Sequence, residues 1–144
     1  MNVEFLYAKL SAVDGRCSYC GQPSDTIDHV FPRSVLRNLD TTNAKLMKGL
    51  RDILIKVPCC QECNMLAGYE VFSSFLSKRS YVRARLRKRY KKVLKTPEWD
   101  EEELKDLSVH LRSHIEGVLK TRIELLQRLS YKIEEIGGES TEPL

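Results

Sequence analysis

Asp28 and His29 stand side by side, and their side chains offer the chemistry of a hydrolytic site. A neutral imidazole can take a proton from water near pH 7, and a carboxylate is a hard ligand for a divalent cation that stabilises a leaving oxygen. Two cysteine pairs frame these residues, Cys17-x-x-Cys20 before them and Cys60-x-x-Cys63 after them. Two C-x-x-C pairs about forty residues apart match what a tetrahedral structural zinc requires, with two thiolates from each turn. Metal binding of this kind is coupled to folding, so the ion would stand in for the core that a small module lacks. Cys59 adjoins Cys60 and is read as a packed spare thiol, with replacement of Cys60 as the alternative.

These residues need elements to position them. Thr26-Ile27-Asp28-His29-Val30-Phe31 is β-branched and aromatic, which predicts a short strand carrying Asp28 and His29, ended or deflected by Pro32. Adjacent strand residues point to opposite faces, so both can serve one site only at the strand's edge or through a distortion. Val3, Phe5, Leu6, Leu10 and Val13 have helix-compatible spacing over residues 3–13, ended by Asp14-Gly15, and Gly21 is free to take positive φ behind the first cysteine turn. A polar loop over residues 38–43 leads to a helical turn or two from Ala44 and then to a strand over residues 55–58. Asn64 is expected to open a helix with Leu66, Val71, Phe72, Phe75 and Leu76 on one face.

At 144 residues the chain has room for a compact site followed by long helices. Hydrophobic residues at 42% and charged residues at 31% describe a soluble globular protein, with no apolar run near the roughly 20 residues that span a bilayer. The N-terminus lacks the marks of a signal peptide, so the cysteines are read as ligands rather than disulfides in a cytoplasmic protein. The net charge of +4 conceals an asymmetry: residues 78–95 hold Lys78, Arg79, Arg83, Arg85, Arg87, Lys88, Arg89, Lys91, Lys92 and Lys95 with no acid. Such a run attracts a polyanion, and nucleic acid is the expected partner. Val82, Leu86, Tyr90 and Val93 keep a helical period through it. Thr96-Pro97-Glu98 reads as the start of a further helix, whose apolar face runs from Leu104 to Ile136 and must pack on earlier helices or on another subunit. Gly137-Gly138 stops it ahead of a disordered tail over residues 139–144. His110 and His114 lie one turn apart without a third ligand and are read as helix-surface residues.

Asp-Gly-Arg-Cys-Ser-Tyr-Cys-Gly, Asp-His-Val-Phe-Pro-Arg-Ser and Val-Pro-Cys-Cys-Gln-Glu-Cys-Asn-Met-Leu-Ala-Gly, all within residues 14–68, resemble the zinc-containing HNH endonucleases of ββα-metal fold. The resemblance covers somewhat over a third of the chain. It implies a zinc-stabilised ββα-metal module, placed over residues 1–76; the helical spacing beyond it adds an extension over 77–136, divided into a basic helix at 77–95 and a long amphipathic helix at 97–136, and the whole is expected to be α+β. The resemblance implies a metal-dependent DNA endonuclease in which His29 is the general base, Asp28 and Asn64 hold a catalytic Mg²⁺ or Mn²⁺, and Cys17, Cys20, Cys60 and Cys63 hold structural Zn²⁺.

In the family a middle Asn orients the base from about nine residues before the final Asn, a place held here by Ile55. Counting forward from His29 by the spacing of HNH domains in RNA-guided nucleases reaches Asn43, the expected orienting residue, with Asn38 as a weaker candidate. Arg33 beside Pro32 is a phosphate contact or a plain surface residue, and the basic run from Lys78 to Lys92 is expected to track DNA. The small size suggests a phage or mobile-element nuclease of low sequence specificity, in a bacterial or phage-infected cell, with phage machinery as a further partner. Two alternatives stand beside this. One is a junction-resolving enzyme of the phage endonuclease VII type, dimeric through the long C-terminal helix, and the other is an inactive zinc module that binds DNA or protein.

Overall fold

The computed structural model describes residues 2–9 and 15–132, together with the backbone of residues 135–136 and 139–140. In chain order, a 3-10 turn (Glu4–Leu6) leads into β1 (Ala8–Lys9), β2 (Thr26–His29), α1 (Arg33–Leu36), α2 (Ala44–Leu50) and β3 (Ile55–Cys59). Then follow α3 (Gln61–Ala67), α4 (Phe75–Arg89), α5 (Lys91–Leu94), α6 (Glu101–Lys105), α7 (Val109–Ser130), β4 (Glu135–Ile136) and β5 (Glu139–Ser140). The result is a mixed α/β protein with a small three-stranded sheet and a long C-terminal helix.

Ile55, Val57 and Cys59 are buried while Lys56 and Pro58 are half-exposed, the period-two pattern of a strand with one face on the core. This strand, β3, is central: β2 pairs with it antiparallel, Asp28 opposite Val57 and His29 opposite Lys56. On its other edge β1 runs parallel, Ala8 opposite Ile55 and Lys9 opposite Lys56. The helix expected over residues 3–13 is therefore replaced by a turn and a strand. Val3 and Tyr7 are buried, Phe5 is exposed, and the Ala8 amide bonds the Leu54 carbonyl at 3.0 Å, so pairing with β3 outweighs the local helical spacing. The rest of that segment, residues 10–14, lies outside the described residues.

The helix expected to open at Asn64 begins instead at Gln61, with Cys60 as its N-cap. It stops at Gly68, where φ is +60°, a backbone state glycine adopts without strain. Val71 and Phe72 consequently lie in a connection, and Ser74 caps a new helix, α4, by accepting from the Ser77 amide at 3.1 Å. Phe75, Val82 and Leu86 on α4 are buried in the same core as Val30, Phe31, Leu36 and Val57.

The expected helix over residues 97–136 is likewise divided. Thr96 donates back to the Lys92 carbonyl at 3.3 Å and so finishes α5. Asp100 caps α6 in a reciprocal capping box with Glu103, and Ser108 caps α7 by accepting from the Leu111 amide. Each cap satisfies amide donors that a continuous helix would have paired internally, so the chain restarts twice. Helix α7 spans 22 residues and packs on α5 and α4. Glu135–Ile136 and Glu139–Ser140 pair antiparallel; the expected tail otherwise falls at residues 141–144, outside the described residues. No helix among the described residues is long and apolar enough to cross a membrane.

Candidate metal centre and adjoining cleft

The two cysteine turns are built from backbone hydrogen bonds that bring sulfurs together. Gly21, at φ +77°, donates to the Cys17 carbonyl at 2.9 Å and closes the first turn. A Cβ at Gly21 would also fall 2.4 Å from the Tyr131 ring, so glycine is required there both by φ and by space. The Tyr19 amide lies 3.4 Å from Cys17 Sγ, and the Cys63 amide lies 3.4 Å from Cys60 Sγ, each placed to donate to a thiolate. Ser18 donates to the Pro58 carbonyl at 2.9 Å, which ties the first turn to β3.

Cys17, Cys20, Cys60 and Cys63 are all buried, with ligand atoms within 4.8 Å of one another and Cys20 Sγ 3.7 Å from Cys60 Sγ. A tetrahedron with Zn–S bonds of about 2.3 Å has edges of roughly 3.8 Å, so the cluster has the dimensions of a structural zinc site. Hydrogen bonding from the Cys20 thiol, with Cys59, holds Cys17 down to about 3, whereas Cys17 and the other thiols push Cys63 far up. The four sulfurs cannot all ionise against one another, and a divalent cation among them removes that conflict. Cys59 is not one of the four clustered ligands: its thiol donates to the Cys60 carbonyl at 3.2 Å and hydrogen-bonds with the Cys17 sulfur, in the place of a spare buried thiol.

Helix α7 reaches this centre through Arg128, whose Nη2 lies 4.0 Å from Cys63 Sγ and 2.7 Å from Glu62 Oε1. Glu62 also meets Arg89 at 3.3 Å and accepts from the Tyr90 hydroxyl, so one carboxylate joins α3, α4 and α7. Burial pushes Glu62 up, and its bonds from Tyr90 and Arg128 bring it below the ordinary carboxylate range.

Beside the cysteine centre lies a cleft of about 440 Å³ whose lining includes Asp28, His29, Arg33, Arg37, Asn64 and Tyr69. Asp28 and His29 both reach it because β2 is an edge strand that ends at His29. Asp28 is buried; its Oδ2 accepts from the Tyr19 hydroxyl and lies 2.9 Å from Lys78 Nζ. Lys78, fully buried, also donates to the His29 and Val30 carbonyls at 3.2 and 3.0 Å. His29 Nε2 lies 2.7 Å from Glu4 Oε2, and Tyr7 meets the imidazole edge-on at 4.7 Å between centroids. Asn64 donates its amide nitrogen to Thr26 Oγ1 at 3.2 Å, leaving its amide oxygen as the atom able to ligate.

The structure thus brings Asp28, His29, Asn64 and Arg33 to one cleft. It does not bring Asn43 or Asn38 to His29: Asn43 is exposed and caps α2 by accepting from the Leu46 amide at 3.1 Å, and Asn38 donates to the Ser34 carbonyl. Lys78, Arg79 and Arg83, expected on the nucleic-acid face, are buried, because they share the α4 face of Phe75, Val82 and Leu86. Arg83 Nε donates to the Tyr19 carbonyl at 3.1 Å. Arg85, Arg87, Lys88, Arg89, Lys91 and Lys92 are exposed. His110 and His114 are exposed on α7.

Sequence reasoning missed Arg37 and Tyr69 in the cleft, Glu4 against His29, and the buried role of Lys78. Arg37 sits four residues after Arg33, a helical spacing that would have found it; nothing local links Glu4 to His29. No family model, curated protein or solved structure matches the chain.

Proposed function

We propose that the chain is a metal-dependent DNA endonuclease built on a zinc-stabilised ββα module of HNH type. One observation carries the reading: Asp28, His29 and Asn64 line a single cleft with Arg33 and Arg37, on an antiparallel strand pair and helix whose turns hold the four-cysteine cluster. In the cysteine cluster the ligand is zinc, by the softness and number of the sulfurs.

The donor set at the cleft fits a hard divalent ion. Asp28 has one oxygen engaged by Tyr19 and Lys78 and one remaining, and Asn64 contributes its amide oxygen, a sparse set that suits Mg²⁺ or Mn²⁺ retaining waters and taking phosphate as a ligand. Bound there, the ion would supply positive charge to the phosphate and to the leaving oxygen. Arg33 and Arg37 hold the phosphodiester in the cleft, and His29 takes the proton from the attacking water. Lys78 holds Asp28 in place through their 2.9 Å ion pair. The exposed cations of α4 and α5 follow the DNA backbone, which gives affinity and register with little sequence preference.

The test is nicking of supercoiled plasmid in Mg²⁺ or Mn²⁺, beside EDTA and His29→Ala. Divalent-dependent nicking lost in the variant supports the proposal. Wild-type protein that binds DNA and zinc yet never nicks fits the inactive-module reading instead. The junction-resolving reading is favoured by α7, where Leu125 alone is buried while Val109, Leu111, Ile123 and Leu126 are exposed. A dimer in sedimentation, dispersed by Ile123→Glu with Leu126→Glu, would support it, and a monomer would exclude it.

A further inference from the structure

We infer that Glu4, on the N-terminal 3-10 turn, is the positioning residue that fixes the His29 imidazole with its hydrogen on Nε2 and its lone pair on Nδ1. The kinetic consequence rests on the nuclease reading above; the tautomer itself does not.

Glu4 lies 25 residues before His29, and the sheet brings the two together. Because β1 and β2 flank β3, Lys9 and His29 both stand in register with Lys56. The turn that precedes β1 therefore reaches the His29 end of the sheet. There Glu4 divides its oxygens: Oε1 lies 2.9 Å from Lys56 Nζ, and Oε2 lies 2.7 Å from His29 Nε2 and 3.7 Å from Arg33 Nη1. The hydrogen bond from Lys56, followed by that from His29, holds the Glu4 carboxyl below its ordinary range, so it is an anion with acceptor sites alone. An anionic acceptor on Nε2 requires the hydrogen there. Nδ1 is then the nitrogen with a lone pair, and His29 lines the cleft that holds the proposed substrate.

The imidazole is also held against rotation. Tyr7 packs edge-on against it, and the Tyr7 hydroxyl is itself tied to the Phe31 carbonyl. Lys56 fixes the carboxylate from β3, so the acceptor is set before any substrate arrives. Asn43, exposed at the cap of α2, performs no part of this. A purely structural Glu4 would only staple the N-terminal turn to Lys56. Lys56→Met removes that staple while leaving Glu4 and His29 in place, and so separates the two roles.

The experiment uses full-length, zinc-loaded protein with ¹⁵N-labelled histidine, the His29 signals being assigned by their loss in His29→Ala. Imidazole ¹⁵N shifts and couplings report which nitrogen is protonated, and single-turnover nicking of supercoiled plasmid is measured alongside. The expected result is Nε2–H in wild type, in Glu4→Gln, which retains an acceptor oxygen, and in Lys56→Met. Glu4→Ala gives a mixture of tautomers. Nicking by Glu4→Ala falls about 10²-fold at saturating protein, with DNA affinity within about twofold of wild type, and Glu4→Gln recovers most of the rate. A wild-type imidazole carrying its hydrogen on Nδ1, or an unchanged tautomer in Glu4→Ala, overturns the inference. The expected tautomers in a protein that does not nick overturn the nuclease reading and leave the positioning role standing.

Discussion

Lys78 Nζ lies 2.9 Å from Asp28 Oδ2; the Lys78 side chain is fully buried, and the buried Asp28 side chain keeps 5% of its surface exposed at the cleft. With the His29 and Val30 carbonyls as its other acceptors, the ammonium is satisfied without water, and it locks α4 to the end of β2. Breaking one side of a buried pair leaves a stranded charge. Lys78→Met should therefore destabilise the zinc-loaded protein by about 3–5 kcal/mol in urea unfolding, and adding Asp28→Asn should recover part of that loss. Wild-type stability in the single variant would mean that the pair is not what holds α4 in place.

The cysteine cluster should hold one zinc per chain. Cys60→Ser or chelation should remove the metal and abolish cooperative unfolding, because the ion replaces core that the module lacks. Cys59→Ala should leave the zinc content unchanged, since the four ligand sulfurs are those of Cys17, Cys20, Cys60 and Cys63 and the Cys59 thiol donates to the Cys60 carbonyl. Metal analysis beside thermal unfolding reads both outcomes, and loss of zinc in the Cys59 variant would put that sulfur among the ligands.

Exposed and buried cations of α4 should behave differently toward DNA. Replacing Arg85, Lys88 and Lys92 together by Ala should weaken binding and reduce the slope of log affinity against log salt by about 3, if each meets a phosphate. The fold should be unaffected. An unchanged slope would move the DNA surface off this face.

Much of the site was legible because its signals are local. The paired cysteines, the β-branched strand around Asp28 and the alternation in β3 each declare themselves within a few residues. The helix boundaries were harder, because caps compete: Thr96-Pro97 has the form of a start, yet Asp100 with Glu103 and then Ser108 make the hydrogen bonds. The basic run looked uniformly solvated, although Lys78, Arg79 and Arg83 fall at helical spacing with Phe75, Val82 and Leu86. That pattern was readable, and the charge of the side chains obscured it. Glu4 was not readable at all, since only the pairing of β1, β3 and β2 brings it to His29. Asn43 satisfied a spacing rule while its oxygen was committed to the first turn of α2.

The central claim is that the cleft containing Asp28, His29 and Asn64 cuts DNA. Its most direct test is the single-turnover nicking rate of His29→Ala against wild type, in Mg²⁺ or Mn²⁺, with zinc content and DNA affinity measured on the same preparations. Equal zinc and near-equal affinity are expected, with a rate about 10²–10⁴-fold lower in the variant. Equal rates in the two proteins, or a wild type that binds DNA and zinc but never nicks DNA, would mean that the cleft does not cut.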